Sequence, residues 1–238
     1  ITADLVRVQG NLENYGRIEA LGTAGITVRG NVDNGGILRA PVLAITGNQH
    51  NFSGPGLWQF GAFVIPGGFS GPPQTVSLNS NVTFDIPTFS VQGTLDVRDK
   101  TLNLKGSNFG TGTVASILGT GTIRFAPASG NTIFGSGAPI FTPTVTFASG
   151  IVECQSNALL NALNIDAGAT LALNFCGVTA NGNVLNNGVI TKVGSSNFNF
   201  NGQTFTNNGS VGNIDFLTFN NGNGPPVQFV SGIGSWSP

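Results

Sequence analysis

Methionine is absent from this chain of 238 residues, and charged residues make up only 8% of it, against about 25% in an ordinary soluble domain. Nine basic residues stand against ten acidic ones, which gives a net charge of −1. Without a basic cluster to neutralise a row of phosphates, we expect no nucleic-acid partner. A surface with so few charges is poorly protected against self-association, so the composition favours work within an assembly or a matrix.

Histidine and cysteine are almost as scarce, with one and two copies. His50 stands alone between polar neighbours, so we expect a solvated loop residue and not the base of a catalytic triad. No group of histidines and cysteines has the spacing of metal ligands. We therefore expect no catalytic residue, no metal and no cofactor.

Long apolar runs are missing too, since nothing approaches the roughly 18 residues that a membrane-spanning helix needs. We expect no membrane span. The chain begins at Ile1 without the pattern of a signal peptide, which we interpret as a processed chain or a fragment.

What the chain does have is 36 glycines and many valines, isoleucines, threonines and asparagines, which favour strands joined by tight turns. It also repeats itself. Residues 8–20 align without gaps with residues 28–40, and the same phrase returns at 182–190 and 202–211. Each copy follows an alternating strand that ends in glycine, and two weaker strands of this kind lie between. The spacing of these glycines predicts a period of about 19 residues through the whole chain.

Alternation within each unit predicts which side chains are buried. Corner asparagines Asn14 and Asn34 are expected to stack amide on amide, and Glu19 and Arg39 to share an outward rung. The predicted inward residues form two sets, one coil apart: Val6, Val8, Leu12 and Ile18, then Ile26, Val28, Val32 and Leu38.

A unit of this length is too short for a β-α-β crossover and too long for a hairpin repeat. It fits one coil of a parallel β-helix. We therefore predict an all-β, single-stranded, right-handed parallel β-helix (β-solenoid) of ~19–20 residues per coil and roughly ten to twelve coils. Residues 1–238 are expected to form a single domain.

Residues 49–90 fit the repeat least well, and we expect an irregular insertion or wide coils there. Their aromatic residues predict a surface for sugar rings or a neighbouring subunit; the alternative is that these rings fill the core of wider coils. Trp236, near the end of the chain, is a further candidate for such contacts. The aromatic residues concerned are Trp58, Phe60, Phe63 and Phe69.

Cys154 and Cys176 lie slightly more than one coil apart. Either a disulfide joins neighbouring coils or both are buried free thiols. Three sequons predict N-glycosylation at Asn51, Asn81 and Asn208 if the chain passes through a eukaryotic secretory route.

One charged cluster, Asp96 to Lys100, has the residue types that a polysaccharide lyase or hydrolase uses. Catalytic groups on a solenoid come from successive coils, whereas these residues are adjacent in sequence. We therefore interpret the cluster as a charged turn.

The repeated phrase, as in Gly30–Ile37 and Asn186–Ile190, resembles repeats of bacterial filamentous-haemagglutinin-type adhesins and of the β-solenoid domains of fungal hyphal cell-wall proteins. The resemblance implies a right-handed β-helix at a cell or particle surface, concerned with adhesion, scaffolding or display. It carries over no catalytic residue.

These observations predict an extracellular, non-enzymatic, structural or adhesive solenoid, as a repeating subunit of a filament, fibre or surface layer. Its expected partners are copies of itself, other surface or matrix proteins, or glycans. The alternative function is a carbohydrate-binding or carbohydrate-active β-helix, such as a polysaccharide lyase or a tailspike-like module.

Overall fold

The computed structural model describes residues 1–67, 73–106, 108–112, 115–127, 131–134, 140–220 and 229–237. The chain forms strands and no helix within these residues. The strands are β1 (Thr2–Val8), β2 (Leu12–Asn14), β3 (Arg17–Val28), β4 (Val32–Asn34), β5 (Ile37–Ile45), β6 (Gln49–Ser53), β7 (Leu57–Ile65), β8 (Thr75–Leu78), β9 (Val82–Asp85), β10 (Thr88–Val91), β11 (Thr94–Asp96), β12 (Thr101–Leu104), β13 (Asn108–Thr111), β14 (Ser116–Leu118), β15 (Thr122–Phe125), β16 (Asn131–Phe134), β17 (Ile140–Phe147), β18 (Gly150–Cys154), β19 (Ala158–Ile165), β20 (Ala169–Leu173), β21 (Gly177–Ala180), β22 (Val184–Asn186), β23 (Val189–Lys192), β24 (Asn197–Phe200), β25 (Thr204–Asn207), β26 (Ser210–Gly212), β27 (Phe216–Phe219), β28 (Phe229–Ser231) and β29 (Ser235–Ser237).

Each strand pairs in parallel with strands one coil before and one coil after it, and the pairings define three sides. The first side runs through the ends of β1, β3, β5 and β7, then β10, β13, β16, β18, β20, β23, β26 and β29. The second side runs through β2, β4, β6, β8, β11 and β14, the starts of β17 and β19, then β21, β24 and β27. The third side runs through the starts of β3, β5 and β7, then β9, β12 and β15, the ends of β17 and β19, and β22, β25 and β28.

The chain is therefore a parallel β-solenoid of about 10 turns, as predicted. Val8 pairs with Val28 in a parallel register, which is the pairing that the repeat requires. The right-handed sense of the winding stays a prediction.

Coil length varies more than the predicted period. The coil that brings Val28 opposite Val8 is longer than the next one, which brings Ile45 opposite Val28. The coil that brings Phe84 opposite Trp58 is longer than both. The hydrogen-bonded strands keep their register while the corners between them take up the difference, because an added residue at a corner breaks no strand pairing.

The interior is one continuous apolar core. Six of the eight predicted inward residues, from Leu12 to Leu38, are buried, and Val6 and Val8 are partly buried against the same core. Towards the middle of the chain the core becomes aromatic, and neighbouring rings lie with their centroids about 5 to 6 Å apart, in the range that favours offset or edge-to-face contacts.

The segment 49–90 is more regular than predicted. It carries β6 to β9 and most of β10, which pair in parallel with the coils on either side. Its described aromatic residues occupy buried, inward positions, and residues 66–74 separate β7 on the first side from β8 on the second. The wide-coil alternative therefore describes this segment, and the irregular-loop alternative is wrong for its strands.

The repeated phrase occupies two different sides. Its first copies place β2 and β4 on the second side, whereas its later copies place β22 and β25 on the third. The phrase thus specifies a local arc of corner, short strand and corner, and not a fixed position around the axis. The glycines that end the alternating strands accordingly fall on all three sides: Gly10, Gly30 and Gly47 on the first, Gly106 on the third, Gly182 and Gly202 on the second.

Close approach between coils explains one corner glycine. A Cβ atom on Gly36 would lie 2.0 Å from the carbonyl oxygen of Gly16 in the preceding coil. Only glycine lets the two backbones come this close.

Candidate functional site

Buried asparagines join successive coils at the corners. The Asn14 Nδ2 donates to the Asn34 Oδ1 at 2.8 Å, and the Asn34 Nδ2 donates onward to the Leu57 carbonyl at 3.0 Å. Asn186 and Asn207 form the same buried pair, again at 2.8 Å. The predicted stack of Asn14 on Asn34 is confirmed. Each amide satisfies its neighbour, as buried polar groups must.

Exposed and half-exposed asparagines form similar ladders outside the core. The Asn51 backbone N–H donates to the Asn31 Oδ1 at 2.9 Å, and the Asn201 Nδ2 donates to the Asn181 Oδ1 at 3.0 Å. Amides on neighbouring coils therefore use up much of one another's hydrogen-bonding capacity.

Gly177 interrupts one such column on the second side. It begins β21 and lies in register with Asn197 of the next coil, while its backbone N–H donates to the Asn157 Oδ1 of the preceding coil at 2.8 Å. A Cβ atom on Gly177 would lie 2.2 Å from the Asn197 Oδ1 and 3.2 Å from the Asn157 Oδ1. Because Gly177 has no side chain, the Asn197 Oδ1 lies close to where its Cβ would be, and we call this point between the two amides the notch.

Two adjoining hollows open around this notch, of about 210 and 260 Å³. They share Asn157, Gly177 and Asn197, and we call them together the Gly177 groove. Thr179 and Asn199 line one hollow, and Phe175, Ser195, Ser196 and Phe216 line the other.

Two aromatic rings at this groove face solvent. Phe175 is 77% exposed and Phe216 is 69% exposed. Phe175 also has a backbone φ of 52°, a conformation that is rare and strained for a bulky residue. Its ring lies over Gly194, where an added Cβ would come within 2.7 Å of it.

Ser196 gives the groove a buried polar group without a partner. Its side chain is 5% exposed, and among the described residues nothing accepts from or donates to its Oγ. Its backbone N–H donates to Asp215 at 2.8 Å, and Asp215 forms an ion pair with Lys192. The hydrogen bond from Lys192, with that from the Ser196 backbone, lowers the pKa of Asp215 below its usual value.

Three of the predicted aromatic contact residues are not on the surface. Trp58, Phe60 and Phe63 are buried in the core, so the prediction of a ligand-binding surface at these rings is wrong. The rings occupy inward positions of β7, which runs along two sides of the coil. Phe69 lies outside the described residues.

Trp236 is 41% exposed on β29, with its ring against Phe205 and Phe219. Its predicted part in ligand or partner contact stays a prediction.

His50 is buried on β6, and the prediction of a solvated loop residue is wrong. Its Nδ1 lies 2.8 Å from the Gly30 carbonyl of the preceding coil. The ring therefore holds two coils together instead of facing solvent.

The charged cluster forms a turn, as interpreted from the sequence. The Asp96 Oδ1 accepts from the Arg98 backbone N–H at 2.9 Å, and Lys100 pairs with Asp99 at 3.0 Å. Arg98 reaches across to the Asn51 Oδ1 at 3.1 Å.

The predicted outward pair of Glu19 and Arg39 is confirmed. The two residues lie in register, with the Arg39 Nη1 3.3 Å from the Glu19 Oε1, and Arg17 approaches the same carboxylate at 2.8 Å. The hydrogen bond from Arg17 is the main cause that lowers the pKa of Glu19.

Both cysteines are buried and free, in agreement with the second of the two alternatives. The Cys154 Sγ donates to the Ser156 carbonyl at 3.0 Å. A hydrogen bond with Cys176, together with burial, raises the pKa of the Cys154 thiol.

The three sequon asparagines differ in how far their side chains are engaged. Asn51 is half-buried, and its Nδ2 donates to Asn31 at 3.2 Å. The exposed Asn208 also uses its Nδ2, towards Asn187 at 2.9 Å. In Asn81, which is exposed, the Oδ1 accepts from the Thr101 N–H at 2.8 Å, and its Nδ2 makes no hydrogen bond to the described residues. Glycosylation at these sites stays a prediction.

Sequence reasoning missed the Gly177 groove. A signal for it was present, because Asn157, Gly177 and Asn197 follow one another at equal intervals along the chain. Without knowledge of the register on the second side, that interval is indistinguishable from the other asparagine spacings.

Among the described residues, no three histidine, cysteine or acidic side chains are grouped so that they would hold a metal ion. That part of the chain also lacks any helix of the length and hydrophobicity needed to cross a membrane. Comparison of the chain with family models, curated proteins and solved structures found no match.

Proposed function

We propose that this chain is an extracellular, non-catalytic β-solenoid that serves as a structural and adhesive element, like the adhesins and cell-wall proteins that its repeats resemble. The observation that carries the proposal is the stacking of its coils in register around one apolar core, from β1 to β29. At one strand spacing of about 4.8 Å per coil, about 10 turns make a rod of roughly 50 Å.

The surface of this rod supports an adhesive role. Its outward side chains are mostly uncharged amides, hydroxyls and scattered apolar groups, because only 8% of the chain is charged. Rows of like groups repeat at the strand spacing, so one contact with a neighbouring rod or a polymer is followed by the next in line. Low charge also reduces the repulsion that would keep copies of the rod apart.

Electron microscopy and analytical ultracentrifugation of the purified chain at increasing concentration test the assembly part of this proposal. We expect short rods at low concentration, which associate into filaments, fibres or sheets as the concentration rises. Strictly monomeric rods over the whole range would contradict it. Retention of the chain on surfaces coated with extracellular matrix or cell-wall material tests adhesion separately.

A further inference from the structure

We propose that the Gly177 groove binds one or two residues of a neutral carbohydrate chain. The inference rests on the adhesive role proposed above and names the chemical class to which the rod adheres. The observation behind it is a column of Asn157, Gly177, Asn197 and Phe216 on the second side, in which one amide rung is missing and an exposed ring follows.

The missing rung leaves amide groups free for a ligand. Elsewhere Asn181 pairs with Asn201 across neighbouring coils. At the groove, Asn157 uses only its Oδ1, on the Gly177 N–H, and the Asn197 side chain makes no hydrogen bond to the described residues. The Asn157 Nδ2 and the Asn197 amide therefore have no hydrogen-bond partner among the described residues, and amides of this kind recognise sugar hydroxyls.

Ser196 provides a second, independent indication of a ligand. Ser196 lines the groove, and its Oγ, which is buried behind the groove surface, has no partner among the described residues. A buried hydroxyl left without a hydrogen bond costs about 1–3 kcal/mol. A rotation of the Ser196 side chain would bring this Oγ into the hollow, where a ligand hydroxyl would supply the missing partner.

The exposed rings provide the apolar part of the site. Phe175 and Phe216 line the same hollow and are mostly solvent-exposed. Aromatic faces contact the C–H face of a sugar ring while its hydroxyls reach polar groups. The strained backbone of Phe175 is of the type that clusters at binding sites.

Charge and size select the class of carbohydrate. The residues that line both hollows are uncharged, and the nearby Asp215 is already paired with Lys192. An acidic glycan would find no cation at the groove. Hollows of about 210 and 260 Å³ lie below the ~300 Å³ of a typical drug-sized site, which suits single sugar residues of a chain that continues along the rod.

The test is calorimetric titration of the full chain with neutral hexasaccharides (β-1,4-glucan, β-1,3-glucan, β-1,4-N-acetylglucosamine and α-1,6-mannan), with hexagalacturonate as the anionic comparison. We expect at least one neutral oligosaccharide to bind with a dissociation constant below about 1 mM, and hexagalacturonate to bind more weakly. No binding by any neutral oligosaccharide, or tighter binding of hexagalacturonate, would overturn the inference.

Two variants locate the site. Gly177→Asn adds a side chain between the two amides; its Cβ would meet the end of the Asn197 side chain, which must turn aside, and we expect the fold to be retained. Phe216→Ala removes an exposed ring. Each is expected to weaken binding at least about tenfold. The matched controls, Gly10→Asn in open space and Tyr15→Ala at a 73% exposed ring, are expected to bind like the parent chain.

Circular dichroism tests whether each variant is folded. If Gly177→Asn does not fold, Phe216→Ala alone decides whether the groove binds the sugar. Equal affinity in both groove variants and the parent would overturn the inference, even if an oligosaccharide binds. The assembly measurements of the preceding proposal are repeated on Gly177→Asn. Rods that still assemble without binding sugar would leave the structural role standing and reject only the groove.

Discussion

The contribution of a single asparagine to stability depends on how many buried groups it hydrogen-bonds. Asn186 is fully buried, and its side chain serves three groups at once: its Nδ2 donates to Asn207 and to the Ser210 carbonyl, and its Oδ1 accepts from the Gly188 N–H. Asn187, the next residue, is only half-buried, and its Oδ1 accepts one bond from Asn208. Two adjacent residues of one type thus differ sharply in environment.

We expect Asn186→Ala to lower the free energy of unfolding by about 2–4 kcal/mol, because it strands several buried polar groups. Asn187→Ala, the matched control, is expected to cost less than about 1 kcal/mol. Urea denaturation followed by circular dichroism measures both. Similar losses in the two variants would show that the buried ladder contributes no more than the exposed one.

At the scale of the element, the corners decide how closely coils stack. The carbonyl of Gly16 occupies the space in which a Cβ of Gly36 would lie, whereas nothing lies within 4 Å of a Cβ on Gly16 itself. Gly36→Ala is therefore expected to destabilise the chain by about 1–3 kcal/mol through overpacking, and Gly16→Ala by less. Thermal unfolding of the two variants tests this, and a larger loss for Gly16→Ala would contradict it.

The corner at Ser195 and Ser196 is expected to weaken in acid. Hydrogen bonds from Lys192 and the Ser196 backbone lower the pKa of Asp215, so the folded value lies below the unfolded value of about 3.9. The stabilisation is then complete above that pH and is lost as pH falls through the lowered folded value.

Asp215→Asn should accordingly be less stable than the parent at pH 7, and the difference should shrink towards pH 2. Unfolding midpoints over this range measure the difference. Lys192→Ala removes the main cause of the lowered pKa, so its stability should change less between pH 7 and pH 2 than that of the parent chain. A difference between Asp215→Asn and the parent that grows in acid would contradict the assignment.

Elements also show how far the sequence determined the fold. Alternation and the internal repeat predicted the parallel register of Val8 on Val28, because strand pairing follows the repeat directly. The sequence alone did not predict whether Trp58 is buried. An aromatic residue fits a core or a contact surface equally well until its side of the strand is known. The Gly177 groove lay beyond the sequence, because it depends on which residues of three coils share a column.

The whole molecule behaves as a stack of units that contact only their neighbours. Leu12, Glu13 and Asn14 lie opposite Val32, Asp33 and Asn34, so deletion of residues 12–31 joins Asn11 to Val32 and preserves the repeated phrase. We expect this variant to fold, with its rod shortened by about 4.8 Å.

Deletion of residues 12–21 removes half a coil and is the matched control. It moves β1 out of register with the end of β3, so we expect the first coil to detach, with a partial loss of the β-sheet signal in circular dichroism. Small-angle X-ray scattering measures the rod length of the variant that lacks residues 12–31. If both deletions fold equally well, side-to-side register is not what holds the coils together.

The direction of the backbone hydrogen bonds gives this rod an uneven mechanical response. They run along the axis, from coil to coil, so a pull on the two ends of the chain loads the coil boundaries in series, and the weakest boundary opens first. Each detachment releases one coil of roughly 20 residues, which is about 70 Å of extended chain. Under tension the molecule would unfold one coil at a time and absorb work in many small steps. Bending the rod sideways would instead be resisted by the packed core along its whole length.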